Sequence, residues 1–274
     1  MIWVGGAVVP DEALKVSVAD RTFEHGLGLF ETLRTWNGVA PLLGEHRARM
    51  ERSALELGMD LPRDFPDADA VGALLRAEGV VGDVMLRVTL TGGPGAALWM
   101  KAAPLPFALR RPGAVVDSGG WSVLRDDALA RYKTLNYWSR RRANESARRL
   151  GFDETLSVSP DGCVWEGSRT NLFVVRGASL LTPTRDGPIV PGVMRALVLG
   201  LAGGLPLEPD EACALTREAL NGADEVFLTN SVRGVIPVER VGDHSWPAPG
   251  AWTRRLQVLV ADRMGSAWRS GAEG

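Results

Sequence analysis

Lysine, histidine, tyrosine and cysteine are all scarce in this chain of 274 residues. It has three lysines among 31 basic residues, so arginine supplies almost every positive charge. Its three histidines, His25, His46 and His244, are too far apart in the sequence to suggest a zinc site. Its two cysteines, Cys163 and Cys213, are isolated, which predicts no disulfide framework and favours a reducing compartment.

Long hydrophobic runs and a large net charge are also lacking. The most apolar stretch, residues 193–205, contains Arg195 and a glycine pair and is too short to span a bilayer. The opening Met-Ile-Trp-Val-Gly-Gly lacks the basic segment and apolar core of a signal peptide. The net charge of −2 gives no general attraction to nucleic acid or to a membrane. We therefore expect a cytoplasmic protein with no nucleic-acid or membrane partner.

The pattern of apolar residues and turns predicts an α+β protein with two domains. A small N-terminal α/β domain, with mostly antiparallel strands, is expected over residues 1–110. The Pro/Gly-rich residues 111–120 are predicted to be a linker. Residues 121–274 are expected to form the larger second domain.

Several element boundaries can be predicted from turn and periodicity signals. Asn37-Gly38 indicates a hairpin whose returning strand would be Val39–Leu43. Helices are expected over residues 45–58 and 67–79, where apolar residues recur at helical spacing. The other expectations are an extended segment over 104–111, a helix over 134–150, a hairpin over 154–166 and a C-terminal helix over 251–268.

The scarcity of lysine directs attention to Lys133. Arginine stays protonated and cannot act as an amine nucleophile, whereas a buried lysine can lose its proton and form an imine. Apolar neighbours such as Tyr132 and Leu135 favour a buried setting for Lys133, and the alternative is a surface lysine retained by chance. Lys15 and Lys101 are interpreted as surface residues.

A cluster of arginines follows the segment that contains Lys133. Arg140-Arg141-Arg142 and Arg148-Arg149 fall on one predicted helix that has few aromatic residues beyond Trp138. Nucleic-acid sites usually combine such charges with aromatic side chains that stack on bases. The cluster is therefore interpreted as a solvated helix face.

Several segments, in a characteristic order, resemble those of one enzyme family. They are Asp20–Arg34, Glu45–Arg49, Lys133–Tyr137, Gly151–Leu156, Glu166–Phe173, Pro191–Arg195 and Phe227–Ser231. Together they resemble the class IV, or fold type IV, pyridoxal-phosphate enzymes, a group that includes branched-chain aminotransferases, D-amino-acid aminotransferases and aminodeoxychorismate lyases. The resemblance covers nearly the whole chain. It implies a small α/β domain, a larger β-rich pseudo-barrel domain with flanking helices, and a homodimer.

The resemblance implies pyridoxal 5′-phosphate as cofactor, and the spacing of the histidines and cysteines predicts no metal site. Lys133 would form the Schiff base and later move a proton between substrate and cofactor. Glu166 would keep the pyridine nitrogen protonated, its alternative being a surface carboxylate, and Tyr137 would bond the ring hydroxyl. The phosphate would be bound by Arg49, by the backbone N–H groups of Val193 and Met194 at a helix start, and by Ser231. An exposed helix arginine is the alternative for Arg49.

The substrate residues depart from any one subfamily. By resemblance, Arg87 would face the substrate carboxylate and Phe30 would line the pocket. His25 stands where branched-chain enzymes have a tyrosine, so a branched-chain substrate is in doubt. Arg233 lies in a segment that resembles the lyases, and it would either bind a carboxylate or be solvated.

Three functions follow from these residues. The favoured one is an aminotransferase that moves an amino group between an amino acid and a 2-keto acid by a ping-pong mechanism through Lys133. The second is an aminodeoxychorismate lyase that releases pyruvate and 4-aminobenzoate. The third is a binding protein of this fold that has no cofactor, which the presence of Lys133, Glu166 and Arg49 argues against.

Overall fold

The chain divides into two compact units, and one short internal segment of the predicted second domain belongs to the first unit. The computed structural model describes residues 1–93, 95–106, 112–212 and 215–265. The first unit contains Met1–Pro106 and also Tyr132–Asn136, and the second contains residues 112–131 and Tyr137–Arg263. Cys213, most of the expected segment 104–111 and the end of the expected C-terminal helix lie outside the described residues.

The first unit is built on one antiparallel sheet of five strands. The strands are β1 (Ile2–Val4), β2 (Ala7–Val9), β3 (Gly28–Arg34), β4 (Val84–Thr91) and β5 (Leu98–Pro104), in the order β2-β1-β5-β4-β3. The helices are α1 (Arg21–His25), α2 (Leu43–Glu56) and α3 (Ala68–Ala77). The antiparallel pairing expected for this part of the chain is confirmed.

The core of this unit forms between the sheet and its two longer helices. Leu29 and Leu33 of β3 are buried with Met50 of α2 and Leu74 of α3. Helix α3 begins where Asp67 accepts a hydrogen bond from the Ala70 N–H, which satisfies one of the free donors at a helix start. Apolar side chains at alternate strand positions therefore meet apolar helix stripes.

The hairpin predicted at Asn37-Gly38 is right in its turn and wrong in its second strand. Both residues have positive φ, 52° and 78°, and a single bridge joins Trp36 and Val39. The chain then enters α2, so Val39–Leu43 is not a strand. Strand β3 pairs instead with β4, which offers seven paired positions.

The second unit contains one mixed sheet of ten strands. They are β6 (Ala114–Ser122), β7 (Glu154–Val158), β8 (Cys163–Gly167), β9 (Asn171–Arg176), β10 (Ser179–Pro183), β11 (Glu208–Ala212), β12 (Leu215–Thr216), β13 (Glu225–Asn230), β14 (Gly234–Val241) and β15 (His244–Ser245). The helices are α4 (Trp138–Arg149), α5 (Val193–Ala202), α6 (Arg217–Asn221) and α7 (Ala251–Met264).

Six of these strands close into a ring, as expected for a pseudo-barrel. The order β9-β13-β14-β6-β7-β8 returns to its start because β8 also pairs with β9, through Glu166 and Asn171. The predicted hairpin of β7 and β8 is confirmed. Leu156, Leu172 and Leu228 are among the fully or nearly fully buried core residues of this ring.

Two predictions for the segment between the units are wrong. Residues 114–120, expected to be part of a linker, belong to β6, whose buried start pairs in parallel with β14. The helix expected from Thr134 begins only at Trp138, because the four residues before it are held by other contacts described below. Within the described residues, no helix is both long and apolar enough to cross a membrane.

Candidate active site

Lys133 lies in an extended segment that pairs with β3 in the first unit. The Phe30 N–H donates to the Lys133 carbonyl at 3.0 Å, and the Leu135 N–H donates to the Gly28 carbonyl at 2.9 Å. Thr134 forms the bridge residue between these two bonds, opposite Leu29. These bonds keep the backbone of Lys133 out of α4 and fix its position along the strand. The side chain is half-buried, not fully buried as the flanking residues predict.

Phe30 brings two of the predicted site residues together. The Lys133 Nζ lies 4.5 Å from the centre of the Phe30 ring, and the Arg87 guanidinium carbon lies 3.8 Å from it. Such contacts are attractive because the face of an aromatic ring is electron-rich. In the register of β3 and β4, Arg87 lies opposite Thr32, on the same sheet face as Phe30.

The opposite face of β3 carries a buried charged cluster formed by Glu31, His46 and Arg49. The Arg49 Nε donates to Glu31 Oε1 at 2.8 Å and a second guanidinium nitrogen donates to Oε2. His46 Nδ1 lies 2.6 Å from the same Oε2. Arg49 is therefore not an exposed helix arginine, whereas Arg47 and Arg52 are exposed.

The electrostatics of this cluster favour an ionised Glu31 and a neutral His46. Burial alone would raise the pKa of Glu31, but the charge of Arg49 and the His46 contact lower it to about 2. Burial lowers the pKa of His46 below its usual 6.5, with Arg49 and Lys133 adding to this and Glu31 opposing it. A neutral ring beside a carboxylate makes Nδ1 the donor.

His25 is not gathered with these residues. Its side chain is 64% exposed at the end of α1, and its Nε2 lies 3.9 Å from a carboxylate oxygen of the neighbouring Glu24. The first unit therefore brings together Phe30, Arg87 and Lys133, and it buries Arg49.

In the second unit, Glu166 is buried at the end of β8 and held by three donors. The Arg140 guanidinium donates to Oε1 at 2.5 Å, and the Asn171 amide donates to Oε2 at 3.1 Å. The Val190 N–H lies 3.1 and 3.2 Å from the two oxygens. The alternative of a surface carboxylate is therefore wrong, because Glu166 is 2% exposed.

Asn171 links this carboxylate to the start of α5. Its amide also donates to the Val190 carbonyl at 2.8 Å. A Cβ at Gly192, the residue immediately before α5, would lie 2.0 Å from the Asn171 Oδ1, so glycine is required there. The first two helical residues, Val193 and Met194, are buried. Their N–H groups open a ten-residue helix with no acidic residue in its first turn, a setting that favours an anion.

Tyr137 lies just before α4, half-buried. Its hydroxyl donates to the Ser168 carbonyl at 3.2 Å, and the Arg140 guanidinium carbon lies 5.7 Å from its ring centre. The loop that contains Ser168 is itself organised by buried Glu154, which accepts hydrogen bonds from the N–H groups of Ser168 and Arg169 at 3.1 and 3.2 Å. Tyr137 and Glu166 thus share Arg140 as a neighbour.

Ser231 and Arg233 lie in the turn between β13 and β14. The Asn230 Oδ1 accepts from the Val232 and Arg233 N–H groups at 3.1 and 2.8 Å, which fixes this turn. Arg233 is half-buried, so it is not fully solvated. Burial lowers the pKa of Arg233 below its usual value, with the charge of Asp153 opposing this effect and the charge of Arg169 adding to it.

Sequence reasoning missed three residues of this arrangement. Arg140 was expected on a solvated face, but it is 7% exposed and contacts Glu166, which corrects that interpretation. The signal was available, since Arg140, Asn144 and Ala147 share one buried face of α4 at helical spacing. Glu31 and Glu154 are each acidic residues at buried strand positions, which is itself a signal for a partner.

Comparison with known proteins identifies the family. A profile described as amino-transferase class IV matches residues 28–241. A D-alanine aminotransferase of Bacillus licheniformis is 29% identical, over 93% of this chain and 94% of that protein. An aminodeoxychorismate lyase of Bacillus subtilis is 27% identical, over 98% of this chain and 99% of that protein. The solved structure of a branched-chain aminotransferase from Thermoproteus uzoniensis with norvaline has a TM-score of 0.85 at 27% identity, over 97% of this chain and 95% of that one.

These matches confirm the resemblance and the expected fold. They cover three different named activities within one family, so they do not choose among them. The chain belongs to the class IV aminotransferase family, whose enzymes depend on pyridoxal 5′-phosphate.

Proposed function

We propose that this chain is an aminotransferase that moves an amino group between an amino acid and a 2-keto acid. The observation that carries the proposal is the pair of cations on the Phe30 ring, the amine of Lys133 and the guanidinium of Arg87. An α-amino acid has its carboxylate one bond from the carbon that reacts. A carboxylate-binding guanidinium beside the reactive amine suits that geometry.

Each unit contains residues that fit a part of pyridoxal phosphate. Lys133 provides the amine, the buried Glu166 provides a fixed carboxylate, and the start of α5 provides N–H donors that need no partner within the helix and suit a phosphate. When bound, the cofactor supplies a carbonyl that condenses with amines and a ring that withdraws electrons.

Each residue has a defined task in this proposal. Lys133 would hold the cofactor at rest and would afterwards move a proton between the substrate α-carbon and the cofactor carbon C4′. Glu166 would accept a hydrogen bond from the ring N–H, and Tyr137 would orient the ring hydroxyl. Arg87 binds the substrate carboxylate.

The phosphate group is proposed to be bound by Arg49, Ser231 and the N–H groups of Val193 and Met194. Arg49 already forms two hydrogen bonds with Glu31, which hold its guanidinium plane in one orientation. Ser231 lies in a turn that Asn230 fixes.

A spectrum of the first half-reaction tests this function. The cofactor-loaded protein is mixed with single L- and D-amino acids without an acceptor, and the visible band is followed. Conversion to a near-ultraviolet band by one amino acid supports transamination and gives the substrate and its hand. In Lys133→Ala the bond that borohydride traps should be lost, whereas Lys15→Ala, which changes an exposed lysine, should retain it. Trapping and full activity in Lys133→Ala would overturn the proposal.

The aminodeoxychorismate lyase remains a second candidate because of Arg233. A half-buried arginine beside Arg169 suits a substrate with a further carboxylate. This reaction needs no amino acceptor. Release of pyruvate from aminodeoxychorismate without an added keto acid, together with no band conversion by any amino acid, would favour the lyase.

A homodimer is proposed on the basis of exposed apolar side chains. Val18 and Phe23 of the first unit, and Leu124, Leu129 and Trp138 of the second, are among the large apolar residues that are mostly exposed. Apolar surface of this kind is commonly covered by a partner. A protein that is a monomer by light scattering and is fully active in that state would contradict this part of the proposal.

A further inference from the structure

Arg140 and Glu166 form a buried ion pair in the second unit. The side chains are 8% and 2% exposed, and the guanidinium also donates to the Ala130 carbonyl at 3.1 Å. The Arg140 guanidinium carbon lies 5.1 Å from the ring centre of Trp121. The guanidinium is therefore held in place by contacts on several sides.

The charges of Arg140 and Glu166 stabilise each other. Burial by itself would lower the pKa of Arg140, but the charge of Glu166 raises that pKa above its usual value. Arg140 is therefore a permanent positive charge next to the carboxylate. The Asn171 and Val190 donors add two neutral hydrogen bonds to the same carboxylate.

We propose that Arg140 is a positioning residue that acts on the cofactor through Glu166. Its charge makes the Glu166 carboxylate less able to stabilise the protonated form of the cofactor ring nitrogen. This rests on the proposed function, in which Glu166 accepts a hydrogen bond from that nitrogen. A fixed positive charge disfavours a further proton on any base close to it. The ring nitrogen of the native protein thus loses its proton at a lower pH than it would in a protein without the charge of Arg140.

The charge of Arg140 also affects how strongly the cofactor ring withdraws electrons. A protonated ring nitrogen withdraws electrons more strongly than a neutral one. Arg140 therefore lowers the pH at which this stronger electron withdrawal is lost. It also holds the Glu166 carboxylate in place through the hydrogen bond to Oε1.

The experiment follows the ring nitrogen directly. The protein is loaded with cofactor labelled with ¹⁵N in the ring, and the nitrogen chemical shift is recorded against pH. Arg140→Gln should move the titration upward by about one pH unit or more. Arg141→Gln, which removes an exposed charge on the same helix, should leave it unchanged. Identical titrations of Arg140→Gln and native protein, or a downward shift, would overturn the proposal.

A second variant covers the case in which Arg140→Gln does not fold. Lysine keeps the charge but cannot present the same planar set of donors to Glu166 and Ala130 together. Arg140→Lys should therefore shift the titration upward, by less than about one pH unit. A folded Arg140→Lys protein that titrates with the native protein or below it would overturn the inference.

Failure of the proposed function would look different. A protein that binds no cofactor, with no visible band, would refute the function itself. A Glu166→Gln variant that binds cofactor and titrates as the native protein does would remove Glu166 from the ring nitrogen, and the inference would fall with it. Both results differ from one in which the protein binds cofactor and only the titration of Arg140→Gln is unshifted, which would refute the role of Arg140 alone.

Discussion

Glu31 and Arg49 form a bidentate ion pair inside the first unit, with Arg49 Nε 2.8 Å from Glu31 Oε1. The pair joins a strand to a helix, since Glu31 lies on β3 and Arg49 on α2. Their side chains are almost completely removed from water, so each charge depends on the other. His46 completes the set by donating to the same carboxylate.

We expect Glu31→Gln to destabilise the protein by about 3 kcal/mol or more, because it leaves the charge of Arg49 buried without its counter-ion. Urea unfolding at pH 7 measures this change. Glu51→Gln is the matched control, since it breaks the exposed pair with Arg47 on the same helix and should cost less than about 1 kcal/mol. Equal effects of the two substitutions would contradict the structural assignment.

The same carboxylate predicts a dependence of stability on pH. Folding lowers the pKa of Glu31 from 4.5 to about 2, so its ionised form stabilises the folded protein. This contribution is complete above pH 4.5, amounts to about 3 kcal/mol, and is lost as the pH falls towards 2. The lowered pKa of His46 acts in the same direction below pH 6.5.

The measurement is the difference in unfolding free energy between native protein and Glu31→Gln at several pH values. The difference should be largest at pH 5 or above and should shrink by about 2 kcal/mol at pH 3. A difference that stays constant between pH 5 and pH 3 would show that Glu31 does not carry this dependence.

Local signals in the sequence predicted some features of the molecule and not others. The lysine scarcity and the motif around Glu166 directed attention to Lys133 and Glu166, which are now the candidate residues of the two units. Partners distant in sequence were not predictable in this way. Nothing local indicates that β3 pairs with β4 rather than with the residues after Asn37-Gly38, because register depends on long-range packing.

Charged residues gave the least reliable predictions. Arg140 lies among four other arginines on α4, and only its position on the buried face separates it from them. Glu31 lies in an apolar strand, but its partners are on a helix more than a dozen residues away. A single sequence gives residue types and local spacing, whereas an ion pair of this kind depends on how the elements pack.

Gly192→Ala is expected to disturb Glu166 without touching it. The added Cβ would lie 2.0 Å from the Asn171 Oδ1, so Asn171 must move away from Glu166 or the start of α5 must shift. We expect a loss of stability of about 1–3 kcal/mol and weaker cofactor binding. Urea unfolding and titration of the visible band measure the two effects.

Gly200→Ala is the control for that substitution. Gly200 lies later in the same helix, and a Cβ there would have no atom within 4 Å. Since alanine favours a helix more than glycine does, this variant should be more stable by about 0.5–1 kcal/mol, with unchanged cofactor binding. Weaker cofactor binding in Gly200→Ala to the same degree as in Gly192→Ala would contradict a local effect through Asn171.

Arg87→Met tests the assignment of the substrate carboxylate. If the guanidinium on the Phe30 ring binds that carboxylate, its loss removes a charge-assisted hydrogen bond of about 1.5–3 kcal/mol. The amino-acid concentration that half-converts the visible band should then rise about tenfold or more.

A primary amine with the same side chain but no carboxylate is the control substrate. Its half-converting concentration should change less than about twofold, because it never forms the bond to Arg87. Arg52→Met, on the exposed side of α2, should change neither value. An equal loss for the amine and the amino acid would mean that Arg87 supports the fold of this region and does not bind the carboxylate.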